Sequence, residues 1–94
     1  MQHPFLSESV TVAVPSITDP DIAKVDVTVT VPFTLAVGDA VIAIPTEALP
    51  TNCRLQGAFV SAANTVTVTY GSEGGNVTGA NKTHKFLCWD LTSG

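Results

Sequence analysis

The sequence of 94 residues predicts one small all-β domain, an antiparallel β-sandwich or barrel of about six strands with an extended N-terminal arm. Three observations predict this fold. Apolar and polar residues alternate with a period of two along several segments, turn-forming residues separate those segments, and no segment has the 3.6-residue period of an amphipathic helix. A chain of this length forms one domain rather than two.

The N-terminal segment lacks the alternating pattern of a strand. We assign residues 1–8 to the extended arm and residues 9–94 to the sandwich domain. The first strand is predicted at 10–14, where three valines alternate with other side chains and Pro15 follows. The second is predicted at 25–31, where four valines occupy one face and Asp and Thr residues the other, as in a half-buried strand.

The middle of the chain predicts a turn, a buried strand and a short segment without clear periodicity. Gly38 and Asp39 predict the turn. The continuously apolar run 40–44 predicts a strand that is buried on both faces and stops at Pro45. The segment 46–50 is too short for a long helix, so it forms either one helical turn or an irregular loop.

Three more strands are predicted in the second half. Residues 54–61 form a strand, and a tight hairpin turn that ends at Asn64, in the left-handed conformation, connects it to a strand at 65–70. The glycine-rich segment 71–76 is predicted to be a surface loop. The last strand is predicted at 84–91 and, since neither of its faces is polar, it is either central or covered by a neighbour.

The composition predicts that other protein covers part of the surface. Hydrophobic residues make up 45% of the chain and charged residues 13%, whereas about 25% charged is usual for soluble domains. A small domain has much surface for its volume. Such an apolar excess is therefore expected at contacts with other copies of the chain or with a partner.

The charge and the apolar runs argue against two classes of partner. The net charge is −4, and the four Lys and Arg residues do not cluster as a nucleic-acid-binding surface requires. The longest apolar runs are about five residues, far below the roughly 18 that a membrane-spanning helix needs. We expect neither nucleic-acid binding nor a membrane span.

The sequence contains no recognisable catalytic motif, and we expect that the protein is not an enzyme. The chain has two histidines, His3 in the arm and His84 at the start of the last strand, and no Gly-x-Ser-x-Gly motif. Cys53 and Cys88 could meet His84 only through the tertiary fold, and nothing in the local sequence would activate a thiolate. We interpret both cysteines as small buried hydrophobic residues.

No cofactor or metal site is predicted. Two distant cysteines and one nearby histidine are too few ligands for zinc. Asp19, Asp21 and Asp26 could offer oxygen ligands to calcium, but turn formation and solvent exposure explain them more simply. The two Asn-x-Thr sequons, at Asn76 and Asn81, are interpreted as turn residues rather than as glycosylation sites.

Four residues are candidates for contacts with another subunit: Pro4, Phe5, Leu6 and Trp89. Two large apolar side chains on the arm would be costly in water, so Phe5 and Leu6 dock either on their own chain or on another subunit. Trp89 lies between Leu87 and Leu91 on one face of the last strand, which favours packing in the core. A carbohydrate-stacking role for Trp89 would require an exposed face.

Four segments, in sequence order, resemble those of a known group of proteins. They are Val-Asp-Val-Thr-Val-Thr-Val at 25–31, Val-Gly-Asp-Ala-Val at 37–41, Gly-Ala-Phe-Val-Ser-Ala-Ala-Asn-Thr-Val-Thr-Val at 57–68 and Asn-Val-Thr-Gly at 76–79, with Ala-Leu-Pro at 48–50 between the second and third. Over residues 23–91 the chain resembles small structural proteins of tailed-bacteriophage virions and prophages. The last strand departs from this group, because it reads Phe-Leu-Cys-Trp at 86–89 where the group has a Val/Ile run.

The resemblance implies a role on the virion. Small β-domains of this kind act as capsid decoration or cement proteins. The resemblance therefore implies that the chain binds the major capsid protein as a homo-oligomer, in particular a homotrimer, and stabilises the head. Two alternatives stay open: a tail, neck or fibre component of the virion, and a β-sandwich module that binds carbohydrate or a host surface.

Overall fold

The structure, a computed structural model, describes residues 5–18, 24–32, 34–89 and 91. Its elements are six β-strands: β1 (Phe5–Val14), β2 (Lys24–Thr30), β3 (Ala40–Pro45), β4 (Cys53–Ala62), β5 (Thr65–Ser72) and β6 (Ala80–Trp89). None of the described residues is helical, so none lies in a helix long and apolar enough to cross a membrane.

The strands form two antiparallel sheets of three strands each. The first sheet has the order β1-β6-β3 and the second the order β2-β5-β4. The two sheets pack against each other around a shared core, which confirms the predicted all-β sandwich. The last strand, β6, is the central strand of the first sheet, and β5 has the same place in the second.

The side chains of the two central strands fill the middle of the core. Val66, Val68 and Tyr70 of β5 are fully buried, as are Phe86 and Cys88 of β6. Fully burying a side chain of valine or phenylalanine size stabilises the fold by about 1.5–3 kcal/mol. The flanking strands add further buried valines, namely Val12 and Val14 of β1, Val29 of β2 and Val60 of β4.

The tight turn between β4 and β5 also positions the segment between β2 and β3. Asn64 has a φ angle of 57°, in the left-handed region, which confirms the predicted conformation. Its side-chain oxygen accepts a hydrogen bond from the Leu35 N–H (2.9 Å), and its own N–H donates to the Leu35 carbonyl (3.1 Å). The Asn64 carbonyl accepts from the Val31 N–H at 2.9 Å.

β1 is longer than the sequence predicted, and the arm is correspondingly shorter. The strand begins at Phe5, and its first residues pair with the end of β6, from Phe5 opposite Trp89 to Glu8 opposite Phe86. The assignment of residues 5–8 to an extended arm was therefore wrong, and residues 1–4 lie outside the described part. Backbone pairing with a neighbouring strand satisfies N–H and C=O groups whatever the side-chain pattern, so this extension has no signature in the sequence.

The connection between β5 and β6 is also more ordered than a simple loop. β5 continues to Ser72, and β6 begins at Ala80 rather than at residue 84. Between them, Val77 and Ile17 exchange two backbone hydrogen bonds, of 2.8 and 3.0 Å. A Cβ atom at Gly79 would lie 2.5 Å from the Val14 carbonyl oxygen, so only glycine fits there without a shift.

The segment 46–50 is irregular, without a helical turn, and its start lies along β6. The Thr46 N–H and hydroxyl both donate to the Thr83 carbonyl, at 3.0 and 2.9 Å. The Thr83 N–H donates in turn to Glu47 Oε2 (2.7 Å). This backbone hydrogen bond lowers the pKa of the Glu47 carboxyl.

Candidate functional site

The outer face of the first sheet is apolar on β3 and on the second half of β6. The strand register places Leu87 opposite Ile42, and Trp89 opposite Ala40. Ile44 lies opposite Lys85 in the same row. We call the set Ala40, Ile42, Ile44, Leu87 and Trp89 the apolar face.

The apolar face is accessible to solvent. Ile42 is 49% exposed and Ile44 42% exposed, and Leu87 and Trp89 are half-buried. Val37 and Leu91, which precede β3 and follow β6, are also exposed. The large hydrophobic residues exposed on the described part of the chain are therefore concentrated at the first sheet, with Phe59 of β4 as the exception.

The buried carboxylate of Asp39 bonds to two chain segments at one end of the apolar face, the turn before β3 and the residues after β6. Asp39 is only 8% exposed. Its Oδ2 accepts from the Ala36 N–H and its Oδ1 from the Leu91 N–H, both at 2.9 Å. Asp39 thus closes the predicted turn at Gly38, where φ is 107°, and holds the residues that follow β6 beside the start of β3.

The outer face of the second sheet has the opposite character. Threonines occupy most of its positions on β2 and β5, namely Thr28, Thr30, Thr65, Thr67 and Thr69. Their hydroxyls bond within the face: Thr69 donates to Asp26 Oδ1 and Thr67 to Ser61 Oγ, both at 2.7 Å. One side of the sandwich is therefore mainly a hydrogen-bonded polar surface, on which Phe59 of β4 is the exposed aromatic residue, and the other presents exposed aliphatic groups.

Two sequence predictions about the apolar face were wrong. Trp89 lies on the outer face of the first sheet rather than in the core, because the inner positions of β6 belong to His84, Phe86 and Cys88. The run 40–44, predicted to be buried on both faces, forms an edge strand whose isoleucines are exposed. Both errors have the same cause: a strand that is apolar on both sides does not indicate which side meets the other sheet.

The other candidate contact residues precede β1 in the sequence or lie at its start. Pro4 lies outside the described residues. Phe5 and Leu6 begin β1, and their backbones lie opposite Trp89 and Cys88 in the register with β6. The side chains that sequence reasoning missed are Ile42 and Ile44, and the signal that could have found them is the edge position of β3.

A buried polar pair connects the two sheets through the core. Tyr70 of β5 and His84 of β6 are fully buried, and Tyr70 Oη lies 2.8 Å from His84 Nε2. His84 Nδ1 lies 3.0 Å from the Lys82 carbonyl, which can only accept. Nδ1 therefore carries the proton and Nε2 accepts from the tyrosine. Burial lowers the pKa of His84 and raises that of Tyr70 above its ordinary value, so both are neutral.

The cysteines are free thiols in different sheets. Cys53 is half-buried in β4 and Cys88 is buried in β6. Burial raises the pKa of both thiols, to about 11 for Cys88, so neither is a thiolate at neutral pH. The ring nitrogens of His84 bond to Tyr70 and Lys82, and no Cys–His hydrogen bond forms among the described residues.

The acidic residues and the sequons form no ligand cluster in the part of the chain that is described. Asp26 is exposed and accepts from Thr69, whereas Asp19 and Asp21 lie outside that part. No group of three His, Cys, Asp or Glu side chains there is arranged to hold a metal ion. Asn76 and Asn81 are both exposed, but Asn81 lies within β6, so its interpretation as a turn residue was wrong.

Comparisons with protein-family models, with curated proteins and with solved structures found no match for this chain. No known relative therefore assigns a role to the candidate site. Its most distinctive property is the contrast between an exposed apolar outer face and a threonine-rich one.

Proposed function

We propose that this chain is a structural protein of a bacteriophage virion, a capsid decoration protein that binds the major capsid protein as a homo-oligomer and stabilises the head. The observation that carries the proposal is the contrast between the two outer faces. In this arrangement the apolar face packs against the major capsid protein, and the threonine-rich face points to solvent. The resemblance over residues 23–91 supports the same assignment.

The chemistry of the apolar face suits burial against protein. Lys85 is the one charged residue at the outer positions of β1, β3 and β6, so few ions would have to be desolvated there. Burying apolar surface is worth about 25 cal/mol per Å², and exposed Ile42 and Ile44 supply such surface. A charge-poor apolar centre with a polar periphery is the usual anatomy of a stable interface.

The body that carries this face is suited to a fixed contact. Both sheets are held from inside by the buried side chains of β5 and β6 and by the Tyr70–His84 hydrogen bond. A preorganised surface loses little conformational entropy on binding, so more of its contact energy is available for association.

The test is co-sedimentation of the purified protein with phage heads that lack it. The double variant Ile42→Ser/Leu87→Ser removes aliphatic groups from the apolar face, and Thr28→Ser/Phe59→Ser is the matched change on the other face. We expect at least about tenfold weaker binding for the first variant, since about 1.4 kcal/mol of lost apolar contact gives that factor. The second variant should bind like the unmodified chain.

Equal loss in both double variants would remove the apolar face from the contact, and no binding of the unmodified chain to heads would overturn the proposal. Electron microscopy of labelled protein on whole particles separates decoration of the head from a tail, neck or fibre position. Label confined to the tail would replace the decoration role.

One observation favours a second candidate function, a β-sandwich module that binds carbohydrate. Trp89 is only half-buried and lies on an outer face, where an aromatic ring can stack on a sugar. Titration of the fluorescence of Trp89, the one tryptophan of the chain, with a panel of oligosaccharides tests this function. Saturable quenching by one sugar class would support it, and unchanged emission with every sugar would exclude it.

A further inference from the structure

β1 is an edge strand whose outer side no described strand covers. Its other side pairs with β6 over all ten residues, without a register shift. The Ser9 N–H donates to Glu8 Oε1 (3.3 Å), which indicates that it points away from β6. Alternate residues of a strand direct their backbone groups to the same side, so Phe5, Ser7, Thr11 and Ala13 also offer N–H and C=O groups outward.

The other edge strands carry features that discourage the addition of a strand. β4 has two register shifts against β5, near Leu55 and near Val60. β3 has six residues and ends in proline, and β2 has seven and begins with lysine. β1 has no proline, no lysine and no register shift, and its one charged residue is Glu8. It is therefore the edge best able to pair with a further strand.

We propose that β1 pairs with β1 of a second copy of this chain, antiparallel and about a two-fold axis that passes midway between the Ser9 residues of the two copies. The proposal rests on the homo-oligomer of the proposed function and assigns its contact. In this register Ser9 lies opposite its symmetry mate, Ser7 opposite Thr11 of the second copy, and Phe5 opposite Ala13 of the second copy.

This register is complementary in hydrogen bonds and in charge. The outward residues of the two copies form about ten backbone hydrogen bonds, the number typical of a stable interface. Glu8 lies opposite Val10 of the second copy, so like charges are not paired across the contact. Because the Glu8 side chain is exposed, its carboxylate can be hydrated by water instead, and the Ser9 N–H then donates to a backbone carbonyl of the second copy.

The contact also determines how the apolar faces are arranged. The two-fold axis that relates two antiparallel edge strands is perpendicular to the sheet that they join. The two three-stranded sheets therefore form one continuous six-stranded sheet, and both apolar faces lie on the same side of it. Both can then bind the same large surface. A two-fold contact differs from the trimer that the resemblance implies, and the mass of the oligomer distinguishes them.

The test is the mass of the purified full chain by light scattering over a range of concentrations. We expect twice the 9.7 kDa of one chain. Ser9→Pro removes an outward N–H without breaking the pairing with β6, so this variant should have the mass of one chain. Ser9→Ala, which keeps the N–H, is the matched control and should remain a dimer.

A second measurement covers the case in which Ser9→Pro does not fold. In the unmodified chain, hydrogen exchange of the Ser7, Ser9 and Thr11 amides should slow at least tenfold between dilute and concentrated protein. A mass of one or three chains for the unmodified protein, a dimer of folded Ser9→Pro, or exchange independent of concentration would each overturn the pairing. If one of these results overturned the pairing, co-sedimentation of the unmodified chain with phage heads would still support the proposed function, because that experiment measures binding by the apolar face and not by β1.

Discussion

At the scale of single residues, the Tyr70–His84 pair is a polar contact in an otherwise apolar part of the core, and it needs its hydrogen bond to be stable there. Both side chains are polar and fully buried, and each satisfies the other through the 2.8 Å hydrogen bond. Phe86 stacks on the His84 ring, with centroids 6.4 Å apart. A protonated imidazole in this position would be a charge in the core, and Nε2 could no longer accept from the tyrosine hydroxyl.

The pair predicts that stability falls as the pH drops below about 6.5. Burial lowers the pKa of His84 from its ordinary value of 6.5, so the unfolded chain binds the proton first. The stabilisation is complete above pH 6.5 and is lost as the pH falls from there toward the folded-state pKa. Urea unfolding between pH 8 and pH 5.5 measures this change, above the range in which Glu47 titrates.

The matched variants for this prediction are His84→Gln and His3→Gln. The loss of stability with falling pH should disappear in the first and persist in the second, because among the described residues His84 is the buried imidazole. The same pH dependence in His84→Gln as in the unmodified chain would show that another group is responsible.

At the scale of elements, the β4–β5 hairpin connects parts of the fold that are distant in sequence. The sequence predicted its turn, because a left-handed residue between two alternating strands is a local requirement that asparagine meets. It did not predict that Asn64 also bonds the Leu35 backbone. That contact depends on where the segment between β2 and β3 crosses the sandwich.

We expect Asn64→Ala to destabilise the protein more than Asn64→Gly. Both variants leave the Leu35 N–H without its side-chain acceptor, at a cost of about 1–3 kcal/mol. Alanine also strains the left-handed backbone, which adds about 1–2 kcal/mol, whereas glycine adopts this conformation freely. Midpoints of urea unfolding measure the order, with Asn76→Ala in the exposed loop as a control that should change little. Equal midpoints for the two Asn64 variants would contradict the strain argument.

At the scale of the whole molecule, few large side chains fill the core, and the two outer faces differ in polarity. A domain of this size buries a modest share of its surface, so a few large side chains carry much of its stability. Phe86 is fully buried at the centre, whereas Phe59 is 57% exposed on the second sheet.

The two phenylalanines therefore offer a matched comparison. Phe86→Ala leaves a cavity and should cost about 3–5 kcal/mol, a large part of the about 5–15 kcal/mol that stabilises a typical domain. Phe59→Ala should change stability by no more than about 0.5 kcal/mol. Chemical denaturation followed by circular dichroism measures both. Similar losses in the two variants would mean that the described core is wrong.

The sequence by itself determined the class of the fold, the presence of the six strands and the turn at Asn64. Period-two alternation and turn chemistry are local properties, and they can be read from neighbouring residues. Tertiary structure decided the rest: that residues 5–8 join β1, that β3 is an edge, and that Trp89 faces outward while Phe86 faces the core. Each of these depends on which strands pair and which side meets the second sheet, and those are contacts between residues far apart in the chain.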